Sequence, residues 1–575
     1  MKYLLRYLRP FYARMALGLF IKCGGTVLEL FLPYILGHII DEVVPLEDAG
    51  KVLIWGGIMI LCAFGGVVMN VGANRMASKV ARNASEAVRH DLFDKTMRLS
   101  GAQVDKFTVP SLESRLTSDT YNFHHFISMI QRLGVRAPML LMGGFVITMI
   151  VDWRMSLVMF SILPLIGISV WLISRRGVPL YTQVQKSVDG MTRVVREDAQ
   201  GIRVIKALSK TAYERDRYDR VNRQLVEDEK RAGITMAASN PLMTFFMNLG
   251  IVAVILVGAI LVDGGLSKPG KILTFMQYFT LISQAMMSIT RMFVMFTKSA
   301  ASARRISEVL QCGEDLPIGS SADYPTRADG AEGYITFDKV NFSYNKTKNN
   351  LTDISFRLKR GGTLGIIGAT GSGKTTLISL LMRLYDVDSG SVRIGGRDIR
   401  TIPADELHSK FGVAMQHDFL YADTVEENVS FGRDIQRQDL ERAARMAQAD
   451  FIEKFEDGWQ HMLTSKGTNI SGGQKQRLLI SRALAGRPDI LILDDSSSAL
   501  DYKTDAALRR AIADGCDDMT VIVVAQRISS VMNSDVIIVL DEGEIIGMGD
   551  HDSLMRDCEV YREISMSQMG GAFLE

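Results

Sequence analysis

The chain has 575 residues, of which 47% are apolar and 23% charged, and its 66 Lys and Arg residues nearly balance its 64 Asp and Glu residues. The net charge of +2 excludes a strongly basic protein whose overall field would attract nucleic acid, so no nucleic-acid partner is expected. The apolar content excludes an intrinsically disordered chain, and five widely spaced cysteines without a C-x-x-C pair exclude a disulfide scaffold.

The first half of the chain contains long apolar segments. Residues 52–71, 155–173 and 241–262 carry no charged side chain. Each segment is close to the roughly 20-residue length of a helix that crosses ~30 Å of hydrocarbon. Three further apolar segments carry only a few charges. We therefore predict an all-α transmembrane domain over residues 1–312, with six helices at about 15–40, 52–73, 133–151, 155–175, 241–262 and 272–297.

The distribution of Lys and Arg predicts the orientation of these helices. The N-terminus and the two long connections at residues 74–132 and 174–240 are basic, whereas the opposite connections are short and poor in Lys and Arg. Basic segments stay on the cytoplasmic side. We therefore expect a multi-pass protein of the cytoplasmic (inner) membrane, with both termini and the second half of the chain in the cytoplasm. Mixed charges at helical spacing predict that helices two to five continue beyond the membrane.

The second half of the chain predicts an α/β nucleotide-binding domain. Residues 313–332 have no periodic apolar pattern and predict a linker, and short β-type runs begin after it, within residues 333–575. One run leads directly into a complete G-x-x-x-x-G-K-S/T phosphate loop, in which backbone N–H groups surround phosphates and a Lys reaches the β- and γ-phosphates. The expected ATP-binding residues of this loop are Gly368, Ala369, Thr370, Gly371, Ser372, Gly373, Lys374, Thr375 and Thr376.

A second element of a nucleotide site lies about 120 residues further on. Residues 490–494 form an apolar run that ends in Asp494, which is the pattern of a buried parallel strand. A carboxylate at the end of such a strand beside a phosphate loop can hold Mg²⁺, directly or through water, together with the Thr375 hydroxyl. ATP and Mg²⁺ are therefore the expected cofactors.

A third motif carries a family resemblance. Four residues, Ser471-Gly472-Gly473-Gln474, precede a helical pattern shortly before the 490–494 strand. With this motif the chain resembles, over essentially its whole length, the half-transporters of the ATP-binding cassette (ABC) family. Its membrane half resembles multidrug-type exporters with the type IV fold. The resemblance implies an ATPase in which the 471–474 signature contacts the ATP of a partner chain.

The resemblance also implies roles for single residues and short segments. Tyr344 matches the aromatic residue that stacks on adenine, and Gln416 matches the Q-loop glutamine that contacts Mg²⁺ and senses the membrane domain. Asp501 matches the D-loop aspartate. Coupling helices are expected near residues 100–112 and 205–216, where the family docks its membrane helices on the nucleotide-binding domains.

Two catalytic positions depart from the family pattern. The glutamate that follows the strand aspartate in the family is here Asp495, one methylene shorter, and the switch histidine is here Gln526. A shift of a catalytic base by about 1 Å can cost on the order of a hundredfold in rate. A glutamine can donate a hydrogen bond to a γ-phosphate but cannot become cationic. Both changes weaken hydrolysis and leave the residues that hold ATP unchanged.

These departures predict a heterodimeric exporter. In that hypothesis this chain supplies a degenerate ATP site and lends its intact signature to the catalytic site of a second, non-identical half-transporter. Three alternatives stay open: a homodimeric exporter, an importer built on the exporter fold with siderophore-like cargo, and an ATP-gated regulatory or channel subunit. The expected cargo is a hydrophobic or amphipathic small molecule.

Charged residues within the predicted membrane helices are candidates for the transport pathway. Lys22 and Glu29 are seven residues apart on the first helix and therefore share a face, and Arg291 lies on the sixth. Pairing between helices, or extension of the charged groups to an interface, explains such residues equally well.

Overall fold

The computed structural model describes residues 3–313, 316–320, 324, 333–416, 418–496, 499–515 and 518–569. The chain forms two compact units. The first consists of Met1–Met97 and Pro110–Cys312, and the second of Arg98–Val109 and Gly313–Glu575. The short segment Arg98–Val109 thus groups with the second half of the chain, although it lies well before residue 313 in sequence.

The first unit is built from helices. After a 3₁₀ helix at Leu4–Phe11, its long helices are α1 (Tyr12–His38), α2 (Ala49–Met97), α5 (Thr120–Val151), α6 (Trp153–Ala207), α7 (Thr211–Ala237), α8 (Ser239–Asp263) and α9 (Pro269–Leu310). The intervening short helices are α3 (Gly101–Phe107), which belongs to the second unit, and α4 (Val109–Ser114).

Six helical segments of the described chain are long and apolar enough to cross a membrane. This confirms the predicted six-helix transmembrane domain. The predicted continuation of the membrane helices is also present, since α2 has 49 residues and α6 has 55. Both far exceed the roughly 20 residues that a bilayer requires.

The second unit contains two β-sheets. The smaller is antiparallel, with the order β2-β1-β4-β5. Its strands are β1 (Ile335–Phe342), β2 (Leu351–Leu358), β4 (Ser389–Ile394) and β5 (Arg397–Asp398). The larger has the order β10-β9-β3-β8-β7-β6, and only the β10–β9 pair is antiparallel. Its strands are β3 (Thr363–Gly368), β6 (Phe411–Ala414), β7 (Ile490–Asp494), β8 (Thr520–Val524), β9 (Val536–Asp541) and β10 (Glu544–Gly549).

Helices of the second unit connect and flank these sheets. Those of the described residues, apart from α3, are Lys374–Leu381, Ala404–Ser409, Val425–Ser430, Arg437–Met446, Gly472–Ala485, Tyr502–Gly515, Ile528–Val531, His551–Asp557 and Glu559–Met569. The predicted α/β class of this half is therefore confirmed. Strand β7 is buried at all five positions, as its uninterrupted apolar run predicts.

The register of the larger sheet brings three strand ends together. Val524 at the end of β8 pairs with Ile366 of β3 on one side and with Asp494 of β7 on the other. In parallel sheets, ligands bind at the carboxyl ends of neighbouring strands. The loops that follow β3, β7 and β8 therefore meet at one edge of the sheet.

Candidate functional site

The phosphate loop connects β3 to the helix Lys374–Leu381. A Cβ on Gly368 would lie 2.1 Å from the carbonyl oxygen of Leu540 on β9, so only glycine fits at the exit of the strand. Gly373 has φ +103°, and a Cβ there would lie 2.7 Å from a methyl carbon of Leu351. Both glycines are thus required by close packing or backbone conformation, and they hold the loop in a shape that exposes its N–H groups.

The loop borders the cavity at the strand ends, whose volume is about 700 Å³. Some of the residues that line this cavity were predicted from the sequence, and others were not. The predicted ones are Ala369, Thr370, Gly371, Ser372, Gly373, Lys374, Thr375, Thr376, Gln416, Asp494, Asp495 and Gln526. The others include Lys348, Asn349, Asn350, Asp541 and Glu542, which follow β1 or end β9 and carry no motif spacing that could have identified them.

Lys374 lies at the first turn of its helix, where the helix dipole favours anions. Its Nζ donates hydrogen bonds to the carbonyl oxygens of Gly368 (2.8 Å) and Ala369 (2.7 Å). Burial lowers the pKa of Lys374, an effect that Asp494 and Asp495 oppose. A bound polyphosphate would add negative charge beside this partly buried ammonium group.

Thr375 and Asp494 supply oxygen ligands suited to Mg²⁺. The Thr375 hydroxyl donates a hydrogen bond to Oδ2 of Asp494 at 3.3 Å, and Asp494 is only 2% exposed. A hard cation that keeps several waters and is held by one carboxylate, one hydroxyl and substrate phosphates fits this donor set. The metal, when bound, would stabilise charge on the phosphates.

The Asp495 carboxylate accepts hydrogen bonds from two other residues that line the cavity. Its Oδ2 accepts from Nε2 of Gln416 at 3.1 Å and from Nε2 of Gln526 at 3.2 Å. The residue has φ +48°, a left-handed conformation that only a tight turn after β7 explains. Asp495 and Gln526, the two positions that depart from the family pattern, are therefore in direct contact. Asp495 also contacts Gln416, the glutamine expected in the Q-loop.

Tyr344 lies beside the phosphate loop but is not among the described residues that line the cavity. Its hydroxyl donates to the Thr376 hydroxyl at 3.4 Å. Its ring is edge-on to the rings of Phe342 and Tyr385, with centroid distances of 4.8 Å and 5.0 Å. Tyr344 therefore contacts an aromatic cluster next to the site and remains 42% exposed.

The 471–474 signature segment is a well-formed helix start away from this cavity. Ser471 and Gln474 make a reciprocal capping box, with N–H to side-chain distances of 3.2 Å and 2.9 Å. Among the described residues that line the cavity, none comes from 471–474. A Cβ on Gly473 would lie 3.2 Å from the carbonyl oxygen of Ala499, so the signature packs on the D-loop segment.

Asp501 in that segment caps the helix Tyr502–Gly515. Its carboxylate accepts from the backbone N–H of Thr504 at 2.9 Å and from its hydroxyl at 2.8 Å. These two hydrogen bonds lower the pKa of Asp501. The carboxylate is therefore ionised across the physiological range and rigidly placed.

Helix α3 falls within the first segment where a coupling helix is expected, and it packs in the second unit. Ser100 and Gln103 cap it, and a Cβ on Gly101 would lie 2.9 Å from the Tyr385 ring. The Tyr385 hydroxyl donates to Asp105 at 2.6 Å. Burial and this carboxylate raise the pKa of Tyr385, so the phenol keeps its proton and donates at neutral pH.

The candidate pathway residues lie in the first unit. Lys22 and Glu29 line one cavity between α1, α2 and α5, together with Arg136. Arg136 forms an ion pair with Glu29, and Lys22 donates to Asn74 at 3.1 Å. Arg291 lies on α9, and its side chain is outside the described part of the structure.

Comparison with known proteins identifies both halves of the chain. The sequence pattern of the ABC transporter transmembrane region matches residues 15–286, and the pattern described as ABC transporter matches residues 351–498. An uncharacterized ABC transporter ATP-binding protein of Mycobacterium tuberculosis is 32% identical over 569 residues, which cover 98% of this chain and 97% of the relative.

Two further comparisons extend over most of the chain. The ATP-dependent lipid A-core flippase of Vibrio parahaemolyticus is 31% identical over 501 residues, which cover 86% of this chain and 84% of the flippase. The solved structure of a bacterial Atm1-family ABC exporter with ATP bound matches with a TM-score of 0.81 and 21% identity, covering 98% of both chains. The structural match shows a common fold.

Two glycine substitutions in the phosphate loop should have different effects. Gly368→Ala places a methyl group against the backbone of β9, so we expect binding of a fluorescent ATP analogue to be lost. Gly371→Ala meets no atom within 4 Å and carries only the strain of its φ of +86°, about 1–2 kcal/mol, so affinity should fall by no more than about thirtyfold. Thermal unfolding measured in parallel separates loss of the site from loss of the fold. Equal losses of affinity in the two variants would contradict this account of the loop.

Proposed function

Because this chain belongs to the ABC transporters, we propose that it is one half of a heterodimeric, ATP-driven exporter and contributes the slow ATP site of the pair. The observation that carries the proposal is the arrangement around Asp495, whose carboxylate is bound by Gln416 and Gln526 on one oxygen. The partner is a non-identical half-transporter, and the complex lies in the lipid bilayer of the cytoplasmic membrane.

The groups that hold ATP are complete. Phosphates and Mg²⁺ can be bound by Lys374 at its helix start, by the loop N–H groups and by the Thr375–Asp494 pair. Tyr344 contacts Thr376, which follows the phosphate loop, so its ring is close enough to help hold the adenine base. Tight nucleotide binding therefore needs no contribution from the two altered positions.

The groups that would activate water are weak. The Asp495 side chain is one methylene shorter than glutamate, which withdraws the carboxylate from an attacking water. Oδ2 also accepts two amide hydrogen bonds, which compete with an attacking water for that oxygen. Gln526 is neutral at every pH, so it offers the γ-phosphate a dipole where a histidine offers a charge. Slow hydrolysis follows.

The placement of the signature supports a second chain. Residues 471–474 do not line the described cavity of their own chain. Their capping box orders the start of the helix, whose N-terminus is suited to bind an anion from another chain. The turn between α6 and α7, where the second coupling helix is expected, exposes Leu208 and Tyr213 to 64% and 62%. Apolar groups at such a turn suit docking on a partner.

An intact signature beside a weak catalytic pair favours a heterodimer over a homodimer. In a homodimer both sites would contain Asp495 and Gln526, and both would be slow. In a heterodimer, Ser471, Gly472, Gly473 and Gln474 complete the site formed by the partner's phosphate loop. Most hydrolysis then takes place at that site.

The direction of transport can be tested in inverted membrane vesicles. We expect ATP-dependent accumulation of an amphipathic reporter inside the vesicles, which is export from the cytoplasm. ATP-dependent loss of preloaded reporter would indicate an importer, and ATP-gated conductance without accumulation would indicate a channel or regulatory subunit. Either of these outcomes contradicts the proposed direction.

Phosphate-loop variants test the asymmetry. In the purified complex, Lys374→Ala should reduce ATPase activity by less than about threefold, because the site it disables turns over slowly. The equivalent lysine-to-alanine change in the partner should reduce activity on the order of a hundredfold or more. Equal losses from the two variants would refute the heterodimeric proposal.

Restoration of the altered pair tests the cause of the slow turnover. Asp495→Glu with Gln526→His should raise ATP hydrolysis at this site about tenfold or more, since it lengthens the base and restores an ionisable group. Gln526→His alone is the matched control and should have a smaller effect, because Asp495 remains short. Bound nucleotide should be retained in all variants, which is checked by measuring ATP affinity. An unchanged rate in the double variant would show that other residues limit this site.

A further inference from the structure

Two adjoining cavities in the membrane domain form a continuous surface that is mainly apolar and carries several cationic side chains. Their volumes are about 430 and 650 Å³, and Val71 and Asn74 line both. The first lies between α1, α2 and α5, and the second between α2 and α5. We call this surface the basic furrow and define it by the charged residues that line it: Lys22, Glu29, Arg75, Lys79, Arg82, Arg132 and Arg136.

The basic furrow has a large excess of positive charge. Glu29 provides its one carboxylate among the described lining residues and is already paired with Arg136, whose Nε donates to Oε2 at 3.1 Å. Lys22 donates to the neutral amide of Asn74. Within the part of the chain that the structure describes, the remaining cations, Arg75, Lys79, Arg82 and Arg132, form no ion pair with a carboxylate.

Arg132 has hydrogen-bonding capacity that the described residues do not satisfy. It donates through Nη2 to the Ser78 hydroxyl, while its Nε atom is buried and has no hydrogen-bond partner among the described residues. The side chain as a whole is only partly buried, so its guanidinium group can offer further N–H donors to an oxyanion. Arginine in turn offers the planar fork that phosphate and carboxylate oxygens fit.

The position of the furrow residues relative to the predicted membrane helices indicates what kind of anion binds there. Arg75, Lys79 and Arg82 follow the second predicted membrane helix, on the side that the distribution of Lys and Arg predicts to be cytoplasmic. Lys22, which is only 4% exposed, and Arg136 lie within the predicted spans. Cations at membrane depth mark substrate paths. Apolar residues of α2, including Ala63 and Val67, continue the lining beside them.

We propose that the basic furrow binds the phosphate group of an anionic amphiphile that enters from the cytoplasmic side, and that this is the substrate class of the transporter. The inference rests on the proposed transport function and adds the chemistry of the cargo. The headgroup lies among Arg75, Arg132 and their neighbours, and the apolar tail lies along α2. The phosphate belongs either to a membrane lipid or to a soluble organic phosphate.

Binding measurements on the purified full-length transporter in detergent test the proposal without recourse to ATPase activity. The probes are lysophosphatidylglycerol, zwitterionic lysophosphatidylcholine and inorganic phosphate, followed by microscale thermophoresis. We expect the anionic lipid to bind at least about tenfold more tightly than the zwitterionic one. Competition by inorganic phosphate in the same concentration range would identify a soluble phosphate as the source, and its absence would identify a lipid.

Charge variants locate the binding site. Arg75→Gln with Arg132→Gln should weaken lysophosphatidylglycerol binding about tenfold or more, whereas Arg132→Lys, which keeps the charge, should lose less. The matched control, Arg193→Gln with Arg196→Gln, removes two exposed charges from α6 and should leave affinity unchanged. Glu29→Gln should strengthen binding severalfold, because it releases Arg136 from its ion pair.

Three results would overturn the proposal: equal affinity for the two lipids, equal losses in the furrow and α6 variants, or weaker binding after Glu29→Gln in a protein of unchanged thermal stability. Because none of these readouts depends on hydrolysis, they remain informative if the heterodimeric asymmetry fails. A symmetric pair of ATP sites with selective lysophosphatidylglycerol binding would refute only the asymmetry.

Discussion

The nucleotide site depends on the register of three parallel strands. Val524 pairs at once with β3 and with Asp494 of β7, and this alignment delivers the phosphate loop, the strand aspartate and Gln526 to one edge of the sheet. A slip of β7 by one residue would turn Asp494 to the opposite face and bury an apolar side chain in its place. The uninterrupted burial of β7 makes such a slip costly, so packing in the core fixes the geometry at the phosphates.

Both units contain cationic side chains that neighbouring carboxylates neutralise only in part. In the nucleotide site, one partly buried ammonium group, Lys374, is compensated in part by two carboxylates, and a polyphosphate would complete the balance. In the membrane domain, Glu29 neutralises one guanidinium group while several other cations of the basic furrow stay without a carboxylate partner among the described residues. In each unit the positive charge that exceeds the neighbouring carboxylates favours an anionic ligand.

Most of the fold and much of the candidate site could be predicted from local sequence patterns. The membrane helices, the α/β class and the lining by residues 369–376 follow from charge-free segments and from one loop motif, in which Gly368 and Gly373 leave no room for a Cβ. The contact of Asp495 with Gln416 and Gln526 could not be predicted, since it depends on side-chain positions from three separate loops. Nor could the lining by Asn350 or Glu542, which follows from how the two sheets meet.

The aromatic contact beside the phosphate loop has a mechanical consequence. The Tyr344 ring lies edge-on against Tyr385, and the Tyr385 hydroxyl donates to Asp105 of α3, a helix that is covalently continuous with α2 through three residues and with α4 through one. The Tyr344 side chain beside the phosphate loop is therefore linked, through two rings and one phenol–carboxylate hydrogen bond, to a helix whose chain continues on both sides into the helices of the first unit.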